Sequence, residues 1–252
     1  MLNYNFFKSQ NDSKQLLVML HGFISDSTTY DSHIEQLSQH VNVLTIDLPG
    51  HGKDTSDMND TWDFPYIAHA LDEVLSQYDM YDVYLLGYSM GGRVALYYAL
   101  NGSVALRGLL LESTSAGIQS EADKVERVQV DAARAKVLEI AGLEIFVNDW
   151  EKLPLFRSQY ELDAEVRKAI RANRMSQNPV RLAKALRDYG TGNMPNLWPH
   201  VSSLSVRTLI LTGEKDEKFV QIGQKLKEEI PNSHTVQVSD CLLYTSPSPR
   251  DL

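Results

Sequence analysis

Short apolar runs bounded by turns recur along the chain, at residues 16–20, 41–46, 83–86, 109–111 and 206–211. Nearly every position in them is apolar, which is the pattern of strands buried on both faces of a parallel sheet. Stretches with helical periodicity lie between them, at 30–39, 66–78, 90–100 and 220–230. A last strand is expected at 234–238. Strands alternating with helices predict βαβ crossovers and a mostly parallel sheet, so the expected fold class is α/β.

The alternation stops between Ser115 and Pro199. This stretch is rich in charge and carries no buried-strand pattern. Ser120 reads as an N-cap, with Glu121 and Asp123 in the first turn, opening a helix expected to run to about Leu138. A strandless block between two core strands is expected to be a helical lid. The predicted organisation is a first core part at 1–114, the lid at 115–200, and a second core part at 201–240.

Candidate chemistry sharpens this picture. Gly87-Tyr88-Ser89-Met90-Gly91-Gly92 follows one predicted strand and opens a helix. That context is the one in which Gly-x-Ser-x-Gly forms the nucleophile elbow of α/β hydrolases, with the serine exposed on a strained turn. His21-Gly22-Phe23 follows the strand at 16–20, where the same fold takes one backbone N–H of its oxyanion hole. Phe23 and Met90 are therefore the expected donors. Asp47-Leu48-Pro49-Gly50-His51-Gly52 resembles another turn of this superfamily. His21 and His51 read as structural. Gly213-Glu214-Lys215-Asp216 follows the strand at 206–211, where the triad carboxylate belongs, and Asp216 is preferred over Glu214.

These motifs, with Arg93 after the elbow, Gly213-Glu214-Lys215-Asp216-Glu217-Lys218-Phe219, and Arg127, Asn148-Asp149-Trp150 and Arg174 in the lid, resemble the 2-succinyl-6-hydroxy-2,4-cyclohexadiene-1-carboxylate synthase family. The resemblance covers nearly all of residues 1–239. It implies a lyase of menaquinone biosynthesis that expels pyruvate from a polycarboxylate, with no metal or organic cofactor. It implies Ser89 and Asp216 as catalytic residues, Arg93, Arg127 and Arg174 as carboxylate holders, and Tyr88 and Trp150 as pocket lining. Arginine suits the task because its planar fork binds carboxylate bidentately. A plainer reading of the lid arginines is a surface pair with a neighbouring acid such as Asp131. Two other functions fit the elbow: a carboxylesterase or thioesterase, and a binding protein that keeps the pocket without a working base.

The bulk properties narrow the partners. A length of 252 residues suits one α/β unit with an insertion. The formal charge of −9 argues against nucleic acid, which needs clustered Lys and Arg, and means an anionic substrate must be drawn in by local cations. The single cysteine, Cys241, excludes an internal disulfide and suits a cytoplasmic protein. No signal-peptide pattern or membrane-length apolar run is found, so no membrane association is expected. The pattern leaves the oligomeric state open.

The resemblance also implies a triad histidine after the last core strand, in a Gly-His pair. None of the seven histidines, at 21, 33, 40, 51, 69, 200 and 234, stands there. Residues 241–252 turn abruptly to Pro and Ser, and Cys-Leu-Leu-Tyr-Thr-Ser resembles the translation of a sequencing-library transposon end. This tail is expected to be foreign to the fold, and the chain as written to be catalytically impaired.

Overall fold

The computed structural model describes residues 2–239. Seven strands form one sheet: β1 (Asn3–Phe7), β2 (Gln15–Leu20), β3 (Asn42–Asp47), β4 (Asp82–Tyr88), β5 (Leu106–Glu112), β6 (Thr208–Gly213) and β7 (Ser233–Val238). Their order is β1-β3-β2-β4-β5-β6-β7. Only β1 is antiparallel, pairing Asn3 with Asp47 and Phe7 with Val43. The central strands are apolar because both faces are covered, and Leu16, Val18, Leu20, Leu44, Ile46 and Leu85 have no exposed surface.

Sequence periodicity located six of these strands and missed β1. Its signal is a short alternation in which Tyr4 and Phe6 pack on Tyr78, at ring distances of 6.2 and 5.2 Å. Such a half-exposed edge strand lacks the long apolar run of the interior ones.

Helices α1 (Asp31–Ser38), α2 (Phe64–Leu75), α3 (Met90–Asn101) and α8 (Glu217–Glu229) connect the strands. Two start earlier than periodicity predicts, because caps rather than apolar spacing set their ends. Asp63 caps α2 by accepting from the Tyr66 amide, with Pro65 in the first turn. Asp216 caps α8 by accepting from the Phe219 amide. Past Leu75, α2 tightens into a 3-10 turn rather than running on to Tyr78.

Between β5 and β6 lie α4 (Glu121–Ile140), α5 (Leu143–Trp150), a 3-10 segment (Pro154–Glu161), α6 (Ala164–Met175) and α7 (Pro179–Tyr189), with no strand among the described residues. Ser120 caps α4 as expected, its side chain accepting from the Asp123 amide. The insertion has its own small core of Ala135, Leu138, Phe146, Val147, Leu182, Ala183 and Leu186, closed by Ile24. Ala185 and Tyr189 of α7 instead join the main core. Two polar ties fix the insertion to core loops. Asp26 accepts from Asn173 Nδ2 and Gln177 Nε2 at 2.9 and 2.8 Å, and Arg181 Nη2 meets Asp54 Oδ2 at 2.6 Å.

Candidate active site

The elbow lies where β4 meets α3. Ser89 has φ 52° and ψ −107°, a conformation rarely adopted by residues with a side chain. The turn closes only because its neighbours lack a Cβ: one on Gly87 would overlap the Gly91 carbonyl, and one on Gly91 the Leu20 carbonyl. The serine's backbone is tied from two sides. Its amide donates to the Glu112 carbonyl at 2.8 Å, and its carbonyl accepts from Thr114 Oγ1 at 2.8 Å. Four described residues other than glycine have positive φ: Asp12, Ile24, Ser89 and Ser113. Three of these, Ile24, Ser89 and Ser113, line one cavity, so backbone strain is concentrated there.

That cavity has a volume of about 340 Å3. Phe23, Tyr88, Ser89, Met90 and Arg93 reach it from the core, and Arg127, Trp150 and Arg174 from the insertion. Eight of the nine sequence-predicted residues thus meet in one place. Asp216 does not line it. Its buried carboxylate caps α8, two residues before the lining residues Lys218 and Phe219. The Met90 amide is in the first turn of α3, where no intrahelical carbonyl is available and negative charge is favoured. The Phe23 amide donates to no backbone carbonyl among the described residues.

Charge is concentrated on one wall. Arg127 Nε donates to Asp131 Oδ1 at 2.9 Å, and Arg134 Nη1 stands 3.9 Å from the same oxygen. Asp131 Oδ2 accepts from the Gly192 amide at 3.1 Å. Arg93 approaches the Tyr189 carbonyl at 3.5 Å. Burial, followed by the charge of Arg127, lowers the Arg93 pKa to about 10, which still leaves it protonated at neutral pH. Three guanidinium groups therefore share one carboxylate, a local surplus of positive charge in a chain of net −9. Both readings of Arg127 hold together: it pairs with Asp131 and it lines the cavity. Sequence reasoning missed Arg134, although its spacing of seven from Arg127 and three from Asp131 puts all three on one face of α4.

Arg174 is buried and paired within the insertion. Nη1 donates to Glu151 Oε1 and Nη2 to Gln159 Oε1, each at 3.0 Å, and the guanidinium lies over the Phe156 ring. Two buried donors at the cavity, Trp150 Nε1 and Ser25 Oγ, have no partner among the described residues.

The described histidines stand elsewhere. His21 Nδ1 lies 2.7 Å from the Gly22 carbonyl, and its Nε2 accepts from the Leu48 amide at 3.0 Å, so both ring nitrogens are used. His51 is buried against His21, and this burial pulls its pKa down to about 3. His234 pairs with Leu209, at the opposite end of β6 from Gly213. Both the expected histidine position and the expected foreign tail lie outside the described residues. Among the described residues, no cluster of His, Cys, Asp or Glu could hold a metal ion, and no helix is long and apolar enough to cross a membrane.

The alpha/beta hydrolase fold family matches residues 15–242. A 2-succinyl-6-hydroxy-2,4-cyclohexadiene-1-carboxylate synthase of Salmonella agona is 34% identical, over 83% of this chain and 81% of its own length. The chain belongs to this synthase family within the alpha/beta hydrolases. A second synthase, from Yersinia enterocolitica, is 32% identical over 84% of this chain and 75% of its own. The solved structure of MenH from S. aureus superposes with a TM-score of 0.95 and 57% identity, over 96% of this chain and 91% of that one. A thermophilic esterase from Thermogutta terrifontis superposes with a TM-score of 0.80 at 25% identity, covering 95% of this chain and 85% of its own. The synthase fold thus shares its scaffold with an ester hydrolase.

Proposed function

We propose that this chain is the lyase that eliminates pyruvate from 2-succinyl-5-enolpyruvyl-6-hydroxy-3-cyclohexene-1-carboxylate, giving 2-succinyl-6-hydroxy-2,4-cyclohexadiene-1-carboxylate in menaquinone biosynthesis. The observation that carries this reading is the wall of Arg93, Arg127 and Arg134 around the single carboxylate of Asp131, facing Ser89. A polycarboxylate neutralises that surplus, and its oxygens can accept from Trp150 Nε1 and Ser25 Oγ. A neutral ester would leave the surplus positive charge unmatched.

In this reading Ser89 is the base. Its proton passes to a histidine oriented by Asp216, and its oxygen takes a proton from the substrate ring. The electrons of that C–H bond form one ring double bond, the existing ring double bond shifts by one position, and the carbon–oxygen bond to the enolpyruvyl group breaks, the leaving enolate taking up the proton held on the histidine to become pyruvate. The Phe23 and Met90 amides hold the negative charge that develops. No described histidine stands in the relay. Arg93, Arg127 and Arg174 hold carboxylates, and Tyr88 and Trp150 shape the pocket. The insertion acts as a lid: it brings Arg127, Arg134, Trp150 and Arg174 over a nucleophile that belongs to the core.

Offering the authentic precursor and nitrophenyl acetate in parallel to a chain that carries the triad histidine tests the reading. Pyruvate release that depends on Ser89 supports it. Ester hydrolysis without pyruvate release would place the protein among the esterases.

A further inference from the structure

Behind the wall formed by Phe156, Ile170 and Arg174 lies a second cavity of about 320 Å3, and these three residues line both. Its other walls are the 3-10 segment Pro154–Glu161 and one face of α6. Spacings of three and four residues place Arg167, Lys168, Arg171 and Arg174 together on that face. Glu151 is the one carboxylate among the lining residues. It receives Arg171 Nη1 at 2.6 Å and Arg174 Nη1 at 3.0 Å. Lys168 pairs with Glu165 at 2.7 Å. The Arg167 side chain has no ion pair or hydrogen bond among the described residues. Four cations thus meet two anions.

A second observation points to a ligand. Gln159 is 7% exposed and lines this cavity. Its Oε1 accepts from Arg174 Nη2, which fixes the amide, and its Nε2 is a buried donor with no partner among the described residues. Buried donors are almost always paired, and a ligand oxygen would supply the missing acceptor.

We propose that this cavity is a carboxylate-binding antechamber to the Ser89 pocket, in which Arg167, Arg171 and Gln159 Nε2 hold a small organic carboxylate. The identity of the natural ligand rests on the lyase reading, which offers two sources: released pyruvate, or the succinyl arm of the arriving substrate.

The test is calorimetric titration of the whole chain at low ionic strength with pyruvate and, separately, with succinate. Unaltered protein is compared with Arg167→Ala, Arg171→Ala and Arg93→Ala. At least one carboxylate should bind at a site that persists in Arg93→Ala and that weakens about tenfold in Arg167→Ala and Arg171→Ala. Arg171 also tethers Asn148 and Glu151, so Arg167→Ala decides between loss of a ligand contact and loss of local structure. Binding of pyruvate alone assigns the cavity to product release, and binding of succinate alone to substrate arrival. No binding of either, or binding lost in Arg93→Ala and kept in Arg167→Ala, overturns the proposal. If these titrations succeed while a chain that carries the triad histidine yields no pyruvate from the precursor, the lyase reading fails and the carboxylate site stands.

Discussion

Arg127 and Asp131 stand one turn apart on α4, joined by a 2.9 Å hydrogen bond, with the Asp131 side chain only 4% exposed and that of Arg127 31% exposed. Asp131 therefore turns one edge of the Arg127 fork toward itself while the remainder stays available to the cavity. The same carboxylate faces Arg134 and the Gly192 amide. One buried acid thus orients two cations of the substrate wall and ties α4 to the segment after α7.

Asp131→Asn should lower stability. Removing one partner of a fully buried pair costs about 3–5 kcal/mol. Because Arg127 keeps solvent contact, a cost of about 2 kcal/mol is expected here. For a chain of this size that corresponds to a fall in Tm of about 4–8 °C. An unchanged melting curve would show that Asp131 is not a structural anchor.

Arg127→Ala should reduce kcat/KM about 10- to 100-fold, the range of one charge-assisted hydrogen bond made to a substrate carboxylate. Steady-state kinetics on the precursor measures it. An unaltered kcat/KM would remove Arg127 from the substrate wall and leave it only as the partner of Asp131.

Ser89→Gly should separate catalysis from stability. In a chain that carries the triad histidine, turnover should drop by about a thousandfold or more. Releasing a residue from φ 52° should stabilise the fold by about 1 kcal/mol, raising Tm by about 2–4 °C. Ser89→Ala should lose activity equally without that gain, because alanine keeps the strained turn. Equal melting temperatures for the two variants would contradict a strained elbow.

Buried His51 sets a sign for acid stability. Its folded pKa is lowered from 6.5 to about 3, so between those values the unfolded chain binds the extra proton. Its contribution is complete above pH 6.5 and fades as pH falls toward 3, about 2 kcal/mol being lost by pH 5. Glu112 acts in the opposite sense. Burial raises its pKa from 4.5 to about 7, so its contribution is complete below pH 4.5 and fades as pH rises through 7. Denaturant melts from pH 7 to pH 4.5 should show a shallower acid loss in His51→Gln and a steeper one in Glu112→Gln. Parallel curves for all three proteins would refute both assignments.

The parallel core was legible in the sequence because its strands are buried on both faces, and residues 83–86 announce themselves as an unbroken apolar run. The elbow was legible because its geometry demands Gly87 and Gly91 around Ser89. β1 was hidden, since an edge strand such as Asn3–Phe7 needs only alternate apolar positions. The site's tertiary logic was less visible. Arg127 and Asp131 were readable as a helix-surface pair, but only packing against Gly192 and Arg134 shows the acid to be buried and shared. Arg174 was readable as a carboxylate holder or as one half of a surface pair, and the structure buries it with Glu151 and Gln159 as partners. Asp216 sat at the expected turn, yet its cap bond to Phe219 depends on how α8 docks.

The most direct test of the account is the appearance of pyruvate when the protein meets its precursor, followed through pyruvate-dependent oxidation of NADH. For a chain that carries the triad histidine, the account predicts one pyruvate per precursor consumed and its disappearance in Ser89→Ala. Consumption of precursor without pyruvate, or equal release by Ser89→Ala, would contradict it.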